Sequence, residues 1–89
     1  MLYVVSYDLR KKGKDYRGLS DELQRSSGWW HYLESTWLIV SWDGADQIYN
    51  RLRKHLDVND TILIMQVGTD YQGWLPKEAH TWIQNHLSM

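Results

Sequence analysis

The chain opens on Leu2-Tyr3-Val4-Val5-Ser6-Tyr7-Asp8-Leu9, a β-branched and aromatic run with almost no polar interruption. Such a run predicts a strand over 2–9 that is covered on both faces and is therefore central in its sheet. Arg10-Lys11-Lys12-Gly13-Lys14 breaks the pattern as a basic loop. From Asp15 to Arg25 the spacing becomes helical, with Tyr16, Leu19 and Leu23 on one side, and Ser26-Ser27-Gly28 ends the element. The aromatic stretch from Trp29 to Trp42 is too long for one ordinary strand. It divides near Glu34-Ser35-Thr36 into two short antiparallel strands, or one long bent strand pair. Asp43-Gly44-Ala45-Asp46 predicts a helix start, with Asp43 as the cap and Asp46 adding negative charge to the first turn. Ile48, Tyr49, Leu52 and Leu56 then form a buried stripe, while Arg51, Arg53 and Lys54 face outward. Thr61 to Val67 reads as another strand. Pro76 suits the first turn of a last helix whose apolar face is Ala79, Trp82, Ile83 and Leu87.

This order, β-α-β-β-α-β with a helix appended, predicts an α+β chain built on the ferredoxin-like split βαβ unit. With 89 residues, one Pro and no low-complexity stretch, the expectation is a single domain over 1–89, with a core over 1–67 and a helical extension over 68–89. Composition narrows the classes. Apolar residues at 43% and charged residues at 24% are those of a globule. No apolar run reaches the roughly 18–20 residues of a membrane span, and no signal-peptide pattern opens the chain. The absence of Cys removes disulfides and thiolate chemistry and fits a cytoplasmic setting. A net charge of −1 excludes coating of nucleic acid by bulk charge.

Three features could carry chemistry. Asp8 ends the expected central strand, where a carboxylate is well placed for Mg²⁺, an ion that takes oxygen ligands and keeps several waters. One carboxylate makes a poor site, so a two-fold dimer would have to supply a second Asp8. The plainer alternative has Asp8 capping a turn or pairing with a loop Lys. Next, Arg10, Lys11, Lys12, Lys14 and Arg17 set five cations against one carboxylate, Asp15, between residues 10 and 17. That is either a salt-dependent phosphate-binding patch or an ordinary solvated loop. Last, six Trp and six Tyr without any Phe are expected mostly in the core, with Trp74 and Trp82 docking the C-terminal segment. An exposed pair would serve a dimer surface or stack bases. His31, His55, His80 and His86 share no metal-ligand spacing. No nucleophile-elbow pattern surrounds Ser35, and Gly68 and Gly73 belong to turns rather than to a phosphate loop.

The run Tyr3-Val4-Val5-Ser6-Tyr7-Asp8-Leu9 resembles the first strand of the CRISPR-associated Cas2 family, in which a Tyr-Asp-hydrophobe triplet closes that strand. The element order is similar through Val67. The VapD-type toxin ribonucleases share the scaffold. Small bacterial proteins labelled "SinR family" look closer still, through Trp29-Trp30-His31-Tyr32-Leu33 with Ser35-Thr36-Trp37-Leu38-Ile39, and through Tyr71 with Gly73-Trp74-Leu75-Pro76. The Cas2 resemblance implies a homodimer in which the strand-end carboxylates, here Asp8, approach the two-fold axis. It also implies either Mg²⁺-dependent cleavage of DNA or RNA in a defence or toxin setting, or a non-catalytic adaptor role. Glu34, before Ser35, stands where those proteins usually carry Gln, and they more often end in a short strand than in a helix.

Two readings follow. In one, the protein is a homodimeric nuclease with Asp8 as metal ligand and catalytic residue, and Arg10, Lys11, Lys12, Lys14 and Arg17 on the nucleic acid. In the other, it is a dimeric adaptor or protein-interaction module that cuts nothing.

Overall fold

The computed structural model describes residues 1–87, so the last two positions of the expected 68–89 extension lie outside the described residues. The first strand, β1 (Leu2–Asp8), is indeed central: it hydrogen-bonds antiparallel to β3 (Thr36–Val40) on one side and β4 (Thr61–Gln66) on the other. The outer strand β2 (Gly28–Leu33) pairs with β3, which completes a sheet of order β2-β3-β1-β4. Helix α1 (Arg17–Gln24) links β1 to β2, and α2 (Ala45–Leu52) with a short 3₁₀ turn at Arg53–His55 links β3 to β4. Helix α3 (Lys77–Leu87) follows. The fold is α+β, compatible with the ferredoxin-like arrangement carrying a C-terminal helix. Among the described residues, no helix is long and apolar enough to cross a membrane.

Alternation along the strands creates two apolar clusters rather than one. On the helix side, Tyr3 and Val5 of β1, Trp37 and Ile39 of β3, and Leu19, Leu23, Ile48 and Leu52 of α1 and α2 form the principal core. The indole N–H of Trp37 donates to the Tyr7 hydroxyl at 2.9 Å, so the largest buried side chain has its polar atom paired. On the other side, Leu2 and Val40 pack with Ile83 of α3, joined by the half-buried Leu38, Val67, Tyr71, Leu75 and Trp82.

Several local expectations need correction. Helix α1 is shorter than 15–25: Asp15 holds Arg17 through its carboxylate, and Tyr16 lies just before the first helical residue. Gly44, not Asp43, is the residue before α2; its N–H is taken by the Gln47 side chain, which leaves Asp43 to approach Arg51 at 3.7 Å. Arg51 is consequently half-buried instead of facing out. Tyr49, next to Ile48 within α2, is exposed; the helix buries Ile48 and Leu52, and Leu56 beyond it packs half-buried against the same core. Of the tryptophans, only Trp37 is buried. Trp30 and Trp82 are half-buried, while Trp29, Trp42 and Trp74 are exposed, so Trp74 does not help dock the C-terminal segment.

This division yields a direct contrast. Trp37→Ala should lose about 3–5 kcal/mol of stability, the cost of emptying a core aromatic site. Trp42→Ala, which removes a side chain standing in water, should stay within about 0.5 kcal/mol. Urea unfolding monitored by circular dichroism measures both.

Candidate functional site

The second face of the sheet is laid out by strand register. Gly28, Val40 and Leu2 form one row; Trp30, Leu38, Val4 and Met65 the next; Leu33, Thr36, Ser6 and Leu63 a third; Asp8 and Thr61 the last. Ile83 of α3 covers the first row. The third and fourth rows lie beyond it, with Leu33, Leu63 and Asp8 exposed, and so does Met65 in the second. Apart from Asp8, the side chains of these rows carry no charge. The Ser6 and Thr36 hydroxyls bond to each other at 3.1 Å, so each has a partner on the neighbouring strand.

Asp8 therefore sits at the end of the face farthest from α3, and the terminal helix does not wall it off. Its side chain is 69% exposed, with the Arg10 guanidinium 3.7 Å away. Within one chain it is a solitary carboxylate: among the described residues no three His, Cys, Asp or Glu side chains gather as a metal-binding group. A divalent cation that prefers oxygen ligands would need more donors than this single side chain supplies.

The basic loop is less positive than its sequence suggests. Arg17 is held by Asp15 in a two-pronged ion pair, with nitrogens 2.6 and 2.9 Å from the carboxylate, and the Asp15 pKa falls to about 2 because of this Arg17 hydrogen bond. Lys11 lies 3.4 Å from Asp57. Lys14 stands over the Tyr16 ring, 5.1 Å from its centre. Each of Arg10, Lys11 and Arg17 thus has an acidic partner, and Lys12 is exposed.

Sequence reasoning missed the residue that organises this loop, Asp60. Its carboxylate accepts the Arg10 N–H at 2.7 Å, the Tyr16 hydroxyl at 2.7 Å and the Asp57 N–H at 2.7 Å. The pairing of Asp8 with Thr61 is what brings residue 60 beside residue 10, so only the strand register could have revealed it. Desolvation works to raise the Asp60 pKa, but these donors outweigh it and the group titrates below its usual 3.8. The Tyr16 hydroxyl is pushed up from 10.0, first by desolvation and then by its bond to Asp60.

Aromatic side chains concentrate on the edge strand β2. A register shift between Trp30 and Leu33 sets both His31 and Tyr32 opposite Trp37, as in a β-bulge. His31 stacks on Trp37 with ring centres 3.9 Å apart, while Trp30 and Tyr32 stack on each other at 5.5 Å. Beside Trp30 runs an apolar groove of about 210 Å³ between the sheet and the segment before α3, lined by Val4, Trp30, Leu33, Leu38, Tyr71 and Leu75 among others. His55 lies 3.6 Å from the buried Glu22, His80 near Tyr71, and His86 against Trp82, so the four histidines are dispersed.

Comparison of the chain with family models and with curated proteins returned no match.

The Asp60 network has a signed pH consequence. A carboxyl whose folded pKa is depressed contributes stability that is present above its unfolded pKa, near 3.8, and is lost as pH falls through the folded value. The protein should therefore lose stability on acidification below about pH 5. Asp60→Ala should be less stable at pH 7 and show a shallower acid dependence, as read from melting temperatures between pH 3 and 7. Parallel curves for the two proteins would remove Asp60 from this role.

Proposed function

We propose that the protein is a homodimeric interaction module whose two copies join through the open part of the sheet. The observation that carries this reading is the uncharged, apolar surface left beyond α3, where Leu63 and Met65 of β4 and Leu33 of β2 stand exposed on one side of the sheet. Exposed apolar side chains gathered on one uncharged stretch of a sheet are the kind of surface that marks an association site. Pairing of Arg10, Lys11 and Arg17 with Asp8, Asp57 and Asp15 favours this adaptor reading over binding of a polyanion by charge. Sedimentation equilibrium should find twice the monomer mass. Leu63→Glu, at an exposed and hence tolerant position, should weaken the dimer at least about tenfold by burying a charge in the contact. A wild-type monomer at every concentration would overturn the proposal.

A second reading is favoured by the position of Asp8. It shares its side of the sheet with Ser6 and Leu63, so a dimer formed through that surface with its two-fold axis near the end of β1 would carry two Asp8 carboxylates toward each other. As in the Cas2-like proteins that the first strand resembles, the pair would hold Mg²⁺, which supplies Lewis-acid stabilisation of charge during phosphodiester cleavage. Arg10, Lys11, Lys12, Lys14 and Arg17 would contact the nucleic acid, with the exposed Lys12 contributing most freely. A cytoplasmic defence or toxin setting belongs to this reading. Purified protein with Mg²⁺ or Mn²⁺ should then cleave DNA or RNA, and Asp8→Ala should abolish cleavage while leaving the dimer intact. Equal cleavage by both proteins would assign the activity to a contaminant or to another site.

A further inference from the structure

Trp74 and the groove beside it are oddly matched. Its neighbours Gln72 and Leu75 line the groove, yet Trp74 itself is not part of the lining and is fully exposed. A large apolar side chain held entirely in water is a cost that the fold leaves standing. The groove has the complementary character: its walls are almost wholly apolar, from Val4, Trp30, Leu33 and Leu38 on the sheet and from Tyr71 and Leu75. Apolar cavities of ~150 Å³ stay dry and accept benzene. A groove of about 210 Å³ therefore has room for an aromatic ring.

We propose that the groove receives Trp74 of a second copy of this chain, and that the exchange is reciprocal. Trp74 is carried by the segment that walls its own groove, so a two-fold rotation that lays one copy's segment over the other's groove does the same in return. That is the self-complementarity a symmetric dimer requires. Area also favours a second copy. Leu33, Leu63 and Met65 each leave about half of their surface exposed and Trp74 all of it, apolar area of the kind from which an interface of ~800 Å² per partner is built. Trp is also the residue type most often found as an interface anchor. This inference rests on the dimer proposed above and specifies which side chain anchors it.

The test uses protein labelled with 5-fluorotryptophan, whose Trp74 signal is assigned by its loss in Trp74→Phe. Spectra are recorded across a dilution series alongside sedimentation of the wild type, Trp74→Ala and Leu33→Arg. The expected result is a Trp74 signal that moves from a buried to a solvent-exposed position as the dimer dissociates. Both variants should weaken the dimer by at least about tenfold. A dimer of unchanged affinity in Trp74→Ala, with the Trp74 signal solvent-exposed throughout, would overturn the anchor and leave the dimer standing. A Trp74 signal that is buried at every dilution, in a monomer, would mean that Trp74 fills its own groove and would overturn the exchange. A monomer with Trp74 exposed throughout would overturn the anchor and the dimer together.

Discussion

An antiparallel sheet of four strands has two faces to keep from water, and this chain supplies covering helices for one of them and for the end of the other. Helices α1 and α2 bury Tyr3, Val5, Trp37 and Ile39. Helix α3 reaches Leu2 and Val40 through Ile83, but Met65, Leu63 and Leu33 lie beyond that contact. In a chain of 89 residues, whose surface is large relative to its volume, apolar area left outside is a larger fraction of the total than it would be in a bigger domain. The functional proposals follow from this imbalance.

The same geometry orders the chemistry. Asp8 ends β1, one of the two strands paired on both sides, and the β4 register that fixes it also delivers Asp60 beneath the basic loop. Asp60 ties that loop to the segment entering β4 and so sets the loop's shape. Ion pairing with Asp15 and Asp57 then takes up much of the positive charge that the sequence concentrates there. What remains is Asp8 itself, an exposed carboxylate with Arg10 at its side, a group that can act on a polyanion only in company.

How much was legible beforehand varies with the kind of information needed. Strand and helix order followed from local spacing: the run before Asp8 reads as a central strand, and the Glu34-Ser35 turn falls where the aromatic stretch divides. Element ends were less readable. Gly44 displaced Asp43 at the start of α2 because Gln47 offered its own acceptor to the Gly44 N–H and Arg51 drew Asp43 away, and composition signals neither. Tyr49 looked buried because it stands three residues before Leu52, but the face that α2 buries runs through Ile48 and Leu52 instead. The Asp60 network required the β1–β4 register. The tryptophans were the least legible, since a large aromatic serves a core or an interface equally well, and only the tertiary arrangement separates Trp37 from Trp74.

Because the chain has no Cys, a single introduced one carries a spin label at a chosen point. Pulsed dipolar spectroscopy on Thr61→Cys, whose label sits beside Asp8 on the open side of the sheet, reports directly how two copies face each other. The account predicts an inter-label distance shorter than that from Asp46→Cys at the exposed start of α2, on the helix-covered side. A shorter distance from the Asp46 site, or no dipolar coupling from either, would contradict it.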